Sequence, residues 1–213
     1  MVNSDKKIIT NLSRLDKHHS SDELSLPESM DRFAVLRLID KIHKRIGLNA
    51  SQVKLYEFFI AHTSDIDWEA GNICICFWSV EGIAEELDMS IRQIQTNTDS
   101  LVRAGLISLR LSGNYRRSGH RNKETGKLVW ASGADLKPVL ERMEEFQLIA
   151  DTAKEDKNKK QILNKKIGSL RREVRSLITL HCPELLEQFV HVLDMRSRLT
   201  WAYDRLESVE VTI

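Results

Sequence analysis

Apolar residues recur at helical spacing from Phe33 through Leu36, Leu38, Ile39 and Ile42 to Ile46, and stop at Gly47, a residue suited to a helix C-terminus. This predicts a first helix opening near Asp31. A second is predicted from Asn49 or Ser51, both good N-cap types, carrying Val53, Leu55, Tyr56, Phe58, Phe59 and Ile60. After His62 the segment TSDIDWEAGN is turn-like, and the apolar run Ile73 to Trp78 suits a brief strand. The stretch SVEGIAEELDMSIRQIQTNTDSLVRAGLISLRL then gives helix, three-residue turn, helix, Gly105 and strand in close succession. Past Trp130 the period becomes helical again, from Asp135 or Leu136, with intermittent apolar positions from Leu140 to Leu177 around a polar middle, KEDKNKKQILNKK. A last helix is expected from Pro183, a favoured first helical position, through Leu185, Phe189, Leu193, Leu199 and Trp201. Met1 to about Met30, poor in large apolar residues, reads as a mobile arm.

Val80, Ile83, Ala84 and Leu87 make one buried stripe, with small Ala84 where two helices approach closely. Asp88-Met89 forms the turn and Ser90 caps the next helix; Asp88 stands where such turns usually carry Gly, and Asp tolerates a left-handed backbone better than most residues. On that second helix Ile91, Ile94, Thr98, Leu101 and Val102 are expected to face inward. Arg92, Gln93, Gln95, Thr96, Asn97 and Asp99 are expected to face outward, a set able to read guanine, adenine or phosphate. Leu106 to Leu111 and Leu128 to Ala131 read as the strands of a hairpin, joined by a loop holding Arg116, Arg117, His120, Arg121 and Lys123. The order is that of a helix-turn-helix with a basic wing, in which the second helix enters the major groove while wing cations add affinity through counterion release. The expected DNA contacts are Ser90, Arg92, Gln93, Gln95, Thr96 and Asn97 on the helix, with Arg110, Arg116, Arg117, Arg121 and Lys123 in the hairpin. The bland alternative is a plain helix corner beside a solvated loop.

The 213 residues allow one domain with an appendage, or two small domains. Hydrophobic residues at 41%, charged residues at 30% and three prolines favour helix over strand and argue against wholesale disorder. The expected fold is therefore mainly α: an arm over 1–30, a winged helix-turn-helix domain over 31–135 and long, possibly coiled-coil, C-terminal helices over 136–213. A net charge of +1 says little, because a binding face depends on where charges sit. Between Arg110 and Lys127 the only acid is Glu124, against Arg110, Arg116, Arg117, Arg121, Lys123 and Lys127.

Three cysteines and an opening, MVNSDKKIIT, without an apolar stretch argue against a disulfide framework and secretion, and no apolar run reaches membrane-span length, so a cytoplasmic location is expected. Cys74 and Cys76 place two thiols on one strand face, but two ligands make no zinc site, so no metal is expected. The histidines are scattered, and Gly119 to Lys127 lacks the spacing and the hydroxyl of a phosphate loop. Acidic pairs such as Glu85-Glu86 and Glu144-Glu145 point different ways on helices and read as solvated faces. No catalytic residue, no cofactor and no enzymatic activity are expected.

Several blocks stand in a particular order: RFAVLRLIDKIHKRIGLNASQVKLYEFF, SVEGIAEELDMSIRQIQTNTDSLVRAGLI, SGNYRRSGHRNKETGK, SGADLKPVLERMEEFQLIA and KKIGSLRREVRSLI. In these the chain resembles the N-terminal half of the RepC replication initiators of repABC-type plasmids, over about Arg32 to Ile178. Many regulators share the helix-pair block, whereas DLKPVLERMEEF after a basic wing is more particular to that family. The resemblance implies recognition of a plasmid origin and the start of replication, with Ser90, Arg92, Gln93, Thr96 and Asn97 on the reading helix and Arg116, Arg117 and Arg121 in the wing. The expected partner is double-stranded DNA, an origin or an operator. A winged-helix transcription regulator acting as a dimer, and a protein-interaction module, are the alternatives. The C-terminal helices, basic from Lys154 to Arg175, are expected to form a homodimer, to pack within the chain, or to add phosphate contacts.

Overall fold

The computed structural model describes residues 24–27, 30–113 and 116–194. The chain divides into two compact units, Met1–Ala150 and Asp151–Ile213. Most of the described chain is helical, with one small sheet.

In the first unit, helix α1 (Arg32–Ile42) opens at Asp31, whose carboxylate accepts from the Ala34 N–H, and buries Val35, Leu38, Ile39 and Ile42, the stripe a 3.6-residue period puts on one face. Helix α2 (Ala50–Ala61) opens with a reciprocal cap between Asn49 and Gln52. It buries Val53, Leu55, Tyr56, Phe58, Phe59 and Ile60, so it is enclosed on nearly every side and forms the centre of the core. A 3₁₀ turn, Asp65–Trp68, follows; the Trp68 indole N–H, buried with its ring, donates to Thr63 Oγ1 at 3.0 Å. Strand β1 (Ile75–Cys76), helix α3 (Val80–Leu87), helix α4 (Ile91–Arg103) and strands β2 (Ser108–Arg110), β3 (Ser118–Arg121) and β4 (Leu128–Asp135) complete this part.

The strands differ from the expected single hairpin. β4 runs to Asp135 and is shared: its C-terminal half pairs antiparallel with both β1 and β2, and its N-terminal half pairs with β3, which lies inside the stretch expected to be loop. The small residues Ser132, Gly133 and Ala134, poor strand formers by propensity, are what lets neighbouring backbone approach. A Cβ on Gly133 would stand 2.2 Å from the Cys76 carbonyl oxygen.

The long helix also begins later than its periodicity suggests. Asp135 ends the strand, and its carboxylate accepts from the Lys137 N–H at 3.0 Å. Pro138 then opens a four-residue helix, α5 (Pro138–Glu141). At Arg142 the backbone leaves helical values, and its guanidinium donates back to the Ala104 carbonyl and forward to Glu145 before helix α6 (Met143–His181) begins. Part of the expected arm is held: the Leu26 N–H donates to the Trp68 carbonyl, and the buried Lys137 ammonium donates to the carbonyls of Leu24 and Glu69. The remainder, Met1 to Glu23, lies outside the described residues.

In the second unit α6 continues to His181, and Pro183 opens a 3₁₀ turn leading into helix α7 (Leu186–Asp194). Leu199 and Trp201 lie outside the described residues.

Candidate nucleic-acid interface

The sequence of α3 and α4 specifies its own corner. Ser79 Oγ accepts from the Gly82 N–H to open α3, and the helix ends at Asp88, in the left-handed region at φ 52° and ψ 51°. From there the Met89 N–H reaches back to the Ala84 carbonyl at 2.9 Å. Ser90 then caps α4: its hydroxyl accepts from the Gln93 N–H, and the Gln93 side-chain oxygen accepts from the Ser90 N–H at 2.8 Å. Two of the expected reading residues thus close onto each other to start the helix.

Asn97, expected outward, is buried at 7% exposure. It lies three residues after Ile94 and four before Leu101, so the helical period carries it to the inward stripe. Its amide donates to Ser51 Oγ at 2.9 Å, and both groups approach the Met89 sulfur. With Lys54 donating to the Leu87 carbonyl, these contacts tie α4 and the corner to the start of α2. Ile91, expected inward, is 45% exposed, because it sits on the first turn beyond the packed stripe. The solvent face of α4 is left to Arg92, Gln95, Thr96 and Asp99, and Arg103 follows on the same face. Arg103 was not among the expected contacts, although counting eleven residues on from Arg92 reaches it.

The hairpin cations fall into two sets. Arg121 forms a bidentate pair with Asp67, both contacts at 2.7 Å, and the carboxylate is 1% exposed and also accepts from the Ser64 N–H. A break in register between His120 and Arg121 marks a bulge beside this contact. The Asp67 hydrogen bonds push the Arg121 pKa up. Arg110 Nε donates to the fully buried Asp135 carboxylate at 2.9 Å. Arg117 lies over the Phe59 ring at 5.6 Å, and burial pushes its pKa down. Arg121 ties the hairpin to the 3₁₀ turn and Arg117 ties it to α2, while Arg110 links β2 to β4 inside the sheet.

Arg116 and Lys123 are exposed, as are Lys127 and His120. Lys123 stands at the tip of the β3–β4 turn, where the Asn122 side chain accepts from the N–H groups of Glu124 and Thr125 and Gly126 takes a positive φ of 71°. Trp130, the cross-strand partner of His120, is 51% exposed. The exposed surface thus carries a mixed polar helix face and, separately, a hairpin with Lys123 and Lys127 at its turn and Arg116 at its other end. Such a surface can hydrogen-bond and pair with anions; among the described residues no group of three or more His, Cys, Asp and Glu is placed to hold a metal ion. Nor is any described helix long and apolar enough to cross a membrane.

The family model for the Replication protein C N-terminal domain matches residues 9–181. Comparison with curated proteins and with solved structures gave no match.

Proposed function

The chain belongs to the Replication protein C family, and from that premise we propose that it binds double-stranded DNA at a plasmid origin and initiates replication there without catalysing a reaction itself. In this reading α3, the Asp88–Ser90 turn and α4 act as a helix-turn-helix, and the β3–β4 hairpin acts as the wing. The observation that carries it is the solvent face of α4. Arg92, Gln95 and Thr96 are exposed on a helix whose start is fixed by the Ser90–Gln93 cap and whose inner side is held by the Asn97–Ser51 bond. A reading helix needs that combination, because base-edge hydrogen bonds demand a fixed frame. Arg116, Lys123 and Lys127 supply phosphate contacts from the hairpin, whereas Arg110 and Arg121 act as anchors for it.

The test is footprinting across the replicon that carries the gene, at about 0.1 M salt, where phosphate contacts of this kind persist. A protected segment within the origin is expected, weakened by Arg92→Ala at particular base pairs and by Arg116→Ala at all of them. Absence of any protected site refutes the reading. A palindromic site at a promoter, with half-sites about one helical turn apart, would make the protein a dimeric transcription regulator instead.

A further inference from the structure

The second unit carries a charge distribution that core packing does not require. Between Lys157 and Arg172 the chain holds seven Lys and Arg and no Asp or Glu. Placed on α6, exposed Lys154, Lys157, Lys165 and Arg172 fall on one face, opposite the buried Leu163 and Ile167. At 1.5 Å per residue the four span about 27 Å of helix.

Solvated helix faces usually intersperse acids three or four residues from bases, since such pairs stabilise the helix and like charges at that spacing oppose it. Here Lys157, Lys165 and Arg172 have no acidic residue three or four positions away in either direction. Of the acids at its two ends, Glu155 and Glu173 fall on a neighbouring flank, Asp156 falls on the far side with Leu163, and Asp151 stands three residues before Lys154 at the first turn of the ridge. From Lys157 to Arg172 the ridge has no acid on its own face, and such a face projects a positive potential and concentrates a polyanion. On that face the cations are separated by Asn158, Gln161 and Gly168, none of them an apolar side chain to insert into lipid, and the exposed Ile162 stands on the flank with Glu155.

We infer that this face of α6 is a second nucleic-acid contact, binding the phosphate backbone of duplex DNA without regard to sequence. It rests on the reading that the chain binds duplex DNA, and adds to it a contact made outside the first unit. Its role is affinity: cations here release counterions from whatever sequence lies beneath.

The experiment changes Lys154, Lys157, Lys165 and Arg172 together to Gln in the full chain and measures affinity for a random-sequence duplex as salt is raised. If all four meet phosphates, the slope of log affinity against log salt becomes shallower by roughly 3 to 4. Affinity falls by the same factor for random and origin DNA, and the footprint keeps its boundaries. Circular dichroism checks that helix content is retained. Changing Lys159 and Lys166 to Gln, off the ridge, is expected to leave the slope within about 1 of wild type. An unchanged slope in the fourfold variant, with the footprint intact, overturns this inference alone. So does a slope change per charge as large for Lys159 and Lys166, which would make net charge the cause. An unchanged slope with loss of binding to anionic vesicles assigns the ridge to lipid and overturns it too. A wild-type chain that binds no duplex overturns both readings.

Discussion

Replacing Arg121 by Ala separates an anchoring cation from a DNA-contacting one. In the folded protein the Asp67 carboxylate is 1% exposed and accepts two hydrogen bonds from Arg121, each at 2.7 Å, and one from the Ser64 N–H at 2.8 Å. Removing the guanidinium leaves a desolvated carboxylate with one neutral donor. Breaking a fully buried pair from one side costs about 3–5 kcal/mol; because the Arg121 side chain is 30% exposed and water can enter, roughly 2–3 kcal/mol is expected here. For a domain of this size that lowers Tm by roughly 5–10 °C. Lys123→Ala, at the exposed hairpin tip, is expected to stay within about 0.5 kcal/mol of wild type. Arg121→Lys keeps the charge but loses the fork, and falls between the two. Thermal unfolding followed by circular dichroism reads all three, and an Asp67→Asn, Arg121→Ala cycle reads the coupling directly. If Arg121→Ala melts with wild type while its DNA affinity falls as Arg116→Ala does, the anchoring argument is wrong and Arg121 is a contact.

Four further outcomes follow from particular residues. Asp88→Gly, which relieves a left-handed backbone at φ 52°, should raise stability by about 0.5 kcal/mol in a urea titration; a loss would show that the Asp side chain stabilises the corner. Asn97→Ala should cost about 1–2 kcal/mol, and combining it with Ser51→Ala should add little, since the two share one bond; unchanged stability with altered base preference would return Asn97 to the reading face. Burial pushes the Cys76 thiol up to about 11 and Cys74 well above its ordinary value, so in the native protein only the half-exposed Cys182 should alkylate at neutral pH. Because the folded value of Cys76 lies above the unfolded value of 9.0, the stability from keeping that thiol neutral is complete below pH 9 and is lost as pH rises through about 11, with Cys74 acting in the same direction; a melting temperature flat across that window would contradict it.

Most of the helical plan was legible in the sequence because it rests on local chemistry. Asn49 and Ser90 are side-chain caps that work wherever the helix lies, and both cap helices in the structure, as do Asp31 and Ser79, residues of the same capping types. The Asp88 turn was legible for the same reason: its backbone conformation is a property of one residue and its neighbours. The periodicity of α4 also separated Arg92, Gln95 and Thr96 from Ile94 and Leu101.

Pairing at long range was not legible. That Arg121 meets Asp67, 54 residues earlier, depends on where the sheet packs, and that Arg110 meets Asp135 depends on the pairing of β2 with β4; six cations in a run look equivalent until acids from other segments arrive beside some of them. The helical period puts Asn97 on the stripe of Ile94 and Leu101, but the partner that lets a polar amide be buried there, Ser51 on α2, is not local to α4. β4 runs on to Asp135 past β1, where the backbone of Cys76 and Phe77 leaves room for Gly133 but not for a side chain there, a distance between segments that no local propensity contains. The sequence by itself determined the helices, their ends and the corner, through hydrogen bonds spanning three or four residues. Only the tertiary structure decided which charges remain at the surface, because a buried carboxylate takes the nearest cation and that cation is then held in an internal pair.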